Sequence, residues 1–298
     1  MCFAIYELNA FDLYPCMNEY QKINHSANTS IFTACDVAGE VVTVGGVKKL
    51  KAGDKVVATL NFISIIYDAS LRAISCHIAI HFAASSEKLT AARPQEVSAA
   101  EGAGLTSSSL TAHQALTQAA GIKLDGTGQL KNILITGASG GIGHYAVQLA
   151  KLGNTHVTAT CGARNVDIVK SLGAGEVLDY KTPDGAALKS PSGRKYDFPN
   201  LSANGKVIDL TFGVSALITC TLQRLNFSKK QLVPMIINPK RENLDYLVEL
   251  MKEGKLKTVI DSKHHLSKAE DAWARELMAM LMGRSLWRFN HAKYLGIL

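Results

Sequence analysis

The pattern of hydrophobic and polar positions divides the chain into a first part of strands and turns and a second part of alternating elements. Residues 31–60, as in "DVAGEVVTVGGVKKLKAGDKVVATL", hold β-branched runs separated by glycine and a Gly-Asp turn, which predicts strands joined by tight turns. Residues 99–120 are rich in Ala, Ser, Thr and Leu and predict a helix. From residue 131 onward, short apolar runs alternate with segments of helical spacing, which predicts βαβ units around a parallel sheet.

The elements of the second part can be assigned in order. The apolar run in "KNILIT" lacks polar alternation, as expected of a parallel strand covered on both faces. Further strands are predicted at "HVTATC" and "EVLDY", with the helix "NVDIVKSLGA" between them. The segments "GKVIDLT" and "LVPMIINP" follow, then a predicted helix "ENLDYLVELMKEGK" and a predicted strand "KTVIDS".

A glycine-rich turn, "TGASGGIG", joins the first of these strands to an amphipathic helix. Gly137, Gly140 and Gly143 stand three apart, and Gly141 adds another position without a Cβ. Glycine allows a tight turn and lets a phosphate approach bare backbone N–H groups at a helix N-terminus. Between a strand and a helix, this pattern predicts dinucleotide binding rather than a plain tight turn.

The residues at the end of the second strand predict which dinucleotide binds. In a dinucleotide fold this strand usually ends in an acid that bonds the ribose 2′-OH of NAD. The sequence "HVTATCGARN" has no acid there and has Arg164 instead. Because an arginine can pair with a 2′-phosphate, NADP(H) is predicted over NAD(H). The alternative is that Arg164 is an ordinary surface arginine.

Composition narrows the class of protein. The chain has 298 residues, 47% hydrophobic and 19% charged, which describes a globular protein of up to two domains. The net charge of +7 comes without a Lys/Arg block, so no nucleic-acid partner is predicted. Six cysteines without a CxxC pair favour free thiols and remove the usual spacing of structural zinc. His77 and His81 lie in a strand-like segment, where their spacing is poor for chelation.

Two reductase families share the glycine pattern. In short-chain dehydrogenases "TGxxxGxG" stands near the N-terminus and a YxxxK pair donates the proton. Here the motif begins at Thr136, and none of the nine tyrosines has a lysine four positions later. The chain instead resembles the quinone oxidoreductase branch of the medium-chain dehydrogenase/reductase superfamily, through "RPQEVSAAEGAGL", "LTAHQALT", "ILITGASGGIGHYAVQLAK" and "VKSLGAGEVLDYKTP". The resemblance covers roughly residues 31–60 and 79–275.

The resemblance implies an α/β chain with a GroES-like β domain and a Rossmann-type doubly wound parallel sheet. The implied domains are residues 1–104, completed by 256–298, and residues 105–255. The implied activity is zinc-independent, NADPH-dependent reduction of a quinone or an α,β-unsaturated carbonyl, in the chloroplast, with the cytoplasm as the alternative location. The alternative activity is that of a catalytically impaired NADPH-binding protein or non-productive isoform. Relatives also suggest a homodimer and peripheral association with the envelope membrane.

The resemblance also assigns cofactor-binding residues, without any catalytic residue or metal ligand. The pyrophosphate would be held by the glycine turn and the 2′-phosphate by the loops after the next two strands. Thr111 would lie near the nicotinamide, although it could equally be a helix cap. Tyr180 could equally be a strand-end aromatic. The complete set is Thr111, Ser139, Gly140, Gly141, Ile142, Gly143, Gly162, Arg164 and Tyr180.

Three segments depart from that family. Residues 1–30 lack the family's segment that faces substrate and nicotinamide. In "RKYDFPNLSANGKVIDL" the family's next strand is missing, so the sheet is expected to lack one central strand and "GKVIDL" is expected to move beside "ILIT". From about Met278 the ending equals the family's own ending read one base later, so a poorly ordered tail is expected.

Overall fold

The computed structural model describes residues 2–9, 36–46, 49–59, 82–202, 204–210, 230–264 and 294–297. It divides into two compact units. The first comprises Met1–Ser107 with Pro239–Phe289, and the second comprises Ser108–Asn238 with Asn290–Leu298. The segment that contains His77 and His81 lies outside the described residues.

An antiparallel five-stranded sheet forms the first unit. Its strands are β1 (Cys2–Asn9), β2 (Asp36–Thr43), β3 (Lys55–Thr59), β4 (Phe82–Ala84) and β5 (Thr90–Ala92), in the order β4-β1-β2-β3-β5. The strands and turns predicted within residues 31–60 are confirmed by β2 and β3. The Gly-Asp turn between them contains Gly53 at φ +88, a conformation that favours glycine. Consecutive residues of both strands are buried, and Val37 and Val57 are fully buried.

Two helices accompany this sheet. Helix α1 (Ala99–Gln114) begins in the first unit, and a Cβ on its Gly102 would lie 2.6 Å from Cγ1 of Val57, so the helix packs closely on β3. Helix α5 (Arg241–Lys252) confirms the predicted helix and buries an apolar face that includes Leu244 and Leu247. The prediction of a strand at "KTVIDS" is wrong. Residues 257–262 are irregular there, and the Thr258 hydroxyl donates to the Glu101 carbonyl at 2.8 Å.

A six-stranded sheet forms the second unit, in the order β10-β9-β11-β6-β7-β8. Strands β6, β7 and β8 pair in parallel, as do β9 and β10, and helices follow β6, β7 and β8. The prediction of a Rossmann-type α/β unit is thereby confirmed. The strands are β6 (Lys131–Ile135), β7 (Thr155–Cys161), β8 (Glu176–Asp179), β9 (Lys206–Asp209), β10 (Gln231–Pro234) and β11 (Tyr294–Ile297). The helices are α2 (Gly143–Leu152), α3 (Val166–Ser171) and α4 (Pro183–Ala186), and α1 continues as a π-helical turn, Ala115–Ala119.

The centre of this sheet corrects two predictions. The prediction that β9 moves beside β6 is wrong. The C-terminal β11 lies between them and pairs antiparallel with both, with Leu295 opposite Ile135 on one side and Ile208 on the other. The expectation of a poorly ordered tail is therefore wrong for residues 294–297. Backbone pairing needs no particular side chains, so a short apolar segment of any origin can satisfy two open strand edges.

Candidate cofactor site

The predicted cofactor residues after β6, β7 and β8 follow the carboxyl ends of three adjacent parallel strands. Strand β6 ends at Ile135, β7 at Cys161 and β8 at Asp179, and Cys161 pairs in register with Asp179. Parallel strands bring their carboxyl ends to the same edge of a sheet, which is where doubly wound folds bind ligands. The three loops that carry these residues therefore start from one edge.

The glycine turn after β6 is anchored to β7. The backbone N–H of Gly137 donates to the Thr160 hydroxyl at 3.3 Å, and the N–H of Ala138 donates to the Thr160 carbonyl at 2.9 Å. Gly137 has φ +61, which favours glycine. A Cβ on Gly143 would collide with the Gly137 carbonyl oxygen and lie 2.7 Å from the Ala138 Cα. Glycine is thus required at both ends of the turn.

The middle of the turn is open to an anion. Gly140 and Gly141 are exposed, while Gly143 is buried as the first residue of α2. The Ser139 hydroxyl accepts a hydrogen bond from the Asn165 side-chain amide at 3.0 Å, so its own proton remains available to donate. Bare glycine backbone, a serine hydroxyl and a helix N-terminus form a donor set that fits a diphosphate. Ile142, half-buried, completes the segment.

The loops after β7 and β8 meet each other. A Cβ on Gly162 would lie 3.3 Å from the Tyr180 hydroxyl oxygen, so the tyrosine lies directly against the glycine. The Tyr180 N–H also donates to the Cys161 carbonyl at 3.2 Å. Arg164 lies two residues beyond Gly162 in a short 3₁₀ turn and is exposed. Gly162 and Tyr180 are thus brought together, and the exposed Arg164 follows Gly162 by two residues.

Thr111 and Cys161 lie on a helix and at the end of a strand rather than within these loops. Thr111 lies on α1 and is half-buried, and its role near the nicotinamide stays a prediction. Cys161 is buried, and this burial, together with the Asp179 carboxylate, raises the pKa of its thiol to about 11. The thiol therefore stays protonated at neutral pH and is not an activated nucleophile.

Sequence reasoning missed Asn165 and His144. Asn165 links the loop after β7 to Ser139, and nothing in "CGARN" distinguished this side chain from a polar loop residue. His144 places Nδ1 2.9 Å from the Gly140 carbonyl oxygen. Its signal was a polar residue in the helical sequence "GHYAVQLA", on a helix whose residues from Gly143 to Ala150 are all buried.

Two further features concern metal ligands and membrane spans. Within the described ranges, no group of three His, Cys, Asp or Glu side chains could hold a metal ion. Asp36, which follows Cys35, directs Oδ1 to the N–H of Ser107 at 3.1 Å and to its hydroxyl at 2.5 Å. None of the described helices combines the length and apolar character that a transmembrane span requires.

Comparison with known proteins shows which proteins the chain resembles. A family model for zinc-binding dehydrogenases matches residues 172–276. The chloroplast envelope quinone oxidoreductase homolog of Arabidopsis thaliana is 60% identical over 266 residues, which cover 84% of this chain and 78% of the relative. The chloroplastic quinone-oxidoreductase homolog of Spinacia oleracea is 62% identical over 255 residues, covering 80% and 74%.

A solved structure confirms the fold. The quinone oxidoreductase from Coxiella burnetii superposes with a TM-score of 0.68 at 24% identity, covering 94% of this chain and 86% of that one. The identity to the plant relatives, over more than two thirds of their length, shows the family and with it a chloroplast location and an oxidoreductase function. The chain belongs to the chloroplast quinone oxidoreductase homologues, within the medium-chain dehydrogenase/reductase superfamily.

Proposed function

We propose that the chain is a zinc-independent oxidoreductase that uses NADPH to reduce a quinone or an α,β-unsaturated carbonyl. The observation that carries the proposal is the set of loops after β6, β7 and β8. A glycine turn that tolerates no Cβ at Gly143 supplies donors for a diphosphate, and the pair of Gly162 and Tyr180 stands with Arg164 for the adenosine 2′-phosphate. Family membership supports the reaction type.

The charge of the second loop favours NADPH over NADH. No carboxylate follows directly at the end of β7, where the sequence continues as Gly162, Ala163 and Arg164. The nearby Asp179 carboxylate is engaged as a turn cap, because its Oδ1 accepts the N–H of Lys181 at 3.0 Å. An exposed guanidinium can pair bidentately with a phosphate, whereas a ribose hydroxyl offers it no charge to neutralise.

The residues of this chain would act by binding and orientation. When bound, the nicotinamide cofactor supplies the hydride. The glycine turn and the Ser139 hydroxyl would hold the diphosphate, and Arg164 would neutralise the 2′-phosphate. Fixing a donor in near-attack geometry is the main contribution of a protein to such a transfer.

Zinc does not fit the donor set of the described residues. The name of the matching family model mentions zinc, but the described residues contain no cluster of three suitable ligands. The Asp36 carboxylate accepts hydrogen bonds from the N–H and hydroxyl of Ser107 instead. Dialysis of purified protein against a chelator should leave the rate of NADPH oxidation unchanged, and a loss restored by zinc would contradict this part of the proposal.

The test of cofactor choice compares two arginines. Titration with NADPH and NADH should show a preference for NADPH in the wild type, and Arg164→Gln should weaken NADPH binding by roughly tenfold to hundredfold, the range for losing a charge-assisted hydrogen bond. NADH binding should change little. The matched control is Arg194→Gln, since Arg194 lies near Glu176, which begins β8 at the opposite edge of the sheet. Equal losses for both cofactors in Arg164→Gln would contradict the assignment.

A second candidate function is NADPH binding without turnover. The observation that favours it is the antiparallel β11 beside the glycine-loop strand, where the family resemblance implies a parallel strand. After the titration, oxidation of NADPH should be followed with a quinone and with an enone. Turnover supports the enzyme, binding without turnover supports the impaired protein, and no binding overturns both.

The proposal extends to assembly. We propose a homodimer and peripheral association with the chloroplast envelope, on the strength of family membership. Sedimentation should give a dimer mass, and flotation with vesicles of anionic lipid should carry the protein upward through its net charge of +7. A monomer that stays with the soluble fraction would contradict both.

A further inference from the structure

A buried histidine holds one carbonyl of the glycine turn. His144, the second residue of α2, is 5% exposed. Its backbone N–H donates to the Gly140 carbonyl oxygen at 3.1 Å, and its ring Nδ1 lies 2.9 Å from the same oxygen. A single carbonyl is therefore held by two groups of one residue, one from the backbone and one from the side chain.

The hydrogen bond fixes the tautomer of the ring. A carbonyl oxygen only accepts, so Nδ1 carries the proton and Nε2 is a bare lone pair. Nε2 is buried and has no hydrogen-bond partner among the residues that the structure describes. Burial lowers the pKa of His144 from its usual value and outweighs the carbonyls of Gly140 and Gly141, which raise it. The ring therefore serves as a neutral donor at neutral pH.

Holding this carbonyl sets the direction of the next N–H. In a trans peptide the C=O of one residue and the N–H of the next point in opposite directions. Because the Gly140 carbonyl points toward His144, the N–H of Gly141 points away from it. Both glycines are exposed and neither has a Cβ to oppose a flip of this peptide, so the flip is resisted chiefly by the two hydrogen bonds that the Gly140 carbonyl accepts from His144. A flipped peptide would present a carbonyl oxygen to an anion and repel it.

We propose that His144 is a positioning residue that locks the Gly140–Gly141 peptide with its N–H directed toward the cofactor diphosphate. The inference rests on the proposed NADPH binding and adds to it a side chain outside the set of residues assigned to the cofactor. The buried ring acts through the peptide and does not touch the cofactor.

The test uses three substitutions that differ in where a donor stands. Asn places its amide nitrogen on Cγ, where Nδ1 of histidine stands, and Gln places it one atom further out, like Nε2. His144→Leu keeps an apolar side chain and removes the donor. We expect His144→Leu and His144→Gln to raise the dissociation constant for NADPH by roughly 2- to 12-fold, the equivalent of one hydrogen bond. His144→Asn should stay within about twofold of the wild type.

A fragment of the cofactor distinguishes the loss of peptide positioning from general damage to the binding site. Adenosine 2′-monophosphate carries the 2′-phosphate but no diphosphate, so its affinity should be the same in the wild type and all three variants. Parallel loss of NADPH and fragment binding in His144→Leu, or failure of Asn to rescue, would overturn the role of His144. Equal NADPH affinity in every variant would also overturn it while leaving the proposed function standing. A wild type that binds neither probe would overturn the proposed function itself, and the inference with it.

Discussion

Removing the last nine residues tests whether the C-terminal strand completes the second sheet. A chain ending at residue 289 lacks β11 (Tyr294–Ile297), which pairs on one side with β6 and on the other with β9. Without β11, β6 and β9 each lose the backbone hydrogen bonds along one side, in the middle of the sheet. Ile133 of β6 and Ile208 of β9 are fully buried, so water does not readily replace the lost strand.

The expected loss is large compared with the stability of a domain. Three residues of β11 pair with β6 and four pair with β9. A buried backbone group without a partner costs about 1–3 kcal/mol. If about two groups on each flank remain unpaired, the loss is roughly 4–12 kcal/mol, against a net stability of about 5–15 kcal/mol for a typical domain. We expect the shortened chain to lose cooperative unfolding of the second unit, and NADPH binding with it.

The assay is urea unfolding, followed by circular dichroism, of the full chain and three altered forms. Besides the shortened chain, Leu295→Pro keeps the length but removes one backbone donor and should lower the free energy of unfolding strongly. Leu295→Val, a strand-compatible change, is the matched control and should be close to neutral. An unfolding free energy in the shortened chain within about 1 kcal/mol of the full chain would refute the assignment of β11 to the centre of the sheet.

Two further predictions concern the second unit. Burial alone would raise the pKa of Glu176, but hydrogen bonds from Ser192, His156 and Thr158 outweigh it and lower the pKa to about 2. The ionised Glu176 therefore stabilises the fold by on the order of 3 kcal/mol above about pH 4.5, and this stabilisation is lost as the pH falls toward 2. Glu176→Gln should remove this pH dependence from urea unfolding curves measured across that range, without weakening NADPH binding. An acid transition that is unchanged in the variant would contradict the prediction. Gly143→Ala should weaken NADPH binding at least about tenfold and lower the free energy of unfolding by about 1–3 kcal/mol, because the new Cβ would lie 2.7 Å from the Ala138 Cα. The control is Gly45→Ala, which has open space around the new methyl group and should be neutral in the same titration and unfolding assays.

Local patterns in the sequence predicted most of the second unit. The apolar run before the glycine turn, "HVTATC" and "EVLDY" became β6, β7 and β8, because β-branched and apolar residues favour buried strands. The positions of Gly137 and Gly143 followed from backbone geometry that is specific to glycine. "KTVIDS" shows the limit of such reasoning, since a strand-like composition does not form a strand unless another strand edge is available.

The features that were missed depend on distant residues. The pairing of β11 joins residues about 160 positions apart in sequence, such as Leu295 and Ile135, and backbone hydrogen bonding leaves little trace in side-chain identity. The role of Asn165 depends on Ser139, which lies on another loop, and the burial of His144 depends on the packing of α2. None of these partners is visible from a local pattern, whereas the strand and turn signals are.

The direction of β11 separates cofactor binding from turnover. An antiparallel strand brings its amino end to the edge where its parallel neighbours end, and Tyr294 accordingly lies opposite Asp209, the last residue of β9. A parallel strand in this place would instead send a loop from its carboxyl end to the ligand-binding edge, at the point where the strand order reverses. The loops after β6, β7 and β8, which carry the proposed diphosphate and 2′-phosphate contacts, do not depend on a loop at that place. The chain should therefore retain affinity for adenosine 2′-monophosphate and NADPH while its turnover number falls below that of its relatives. A turnover number equal to theirs would show that the direction of the strand at this place does not affect the reaction.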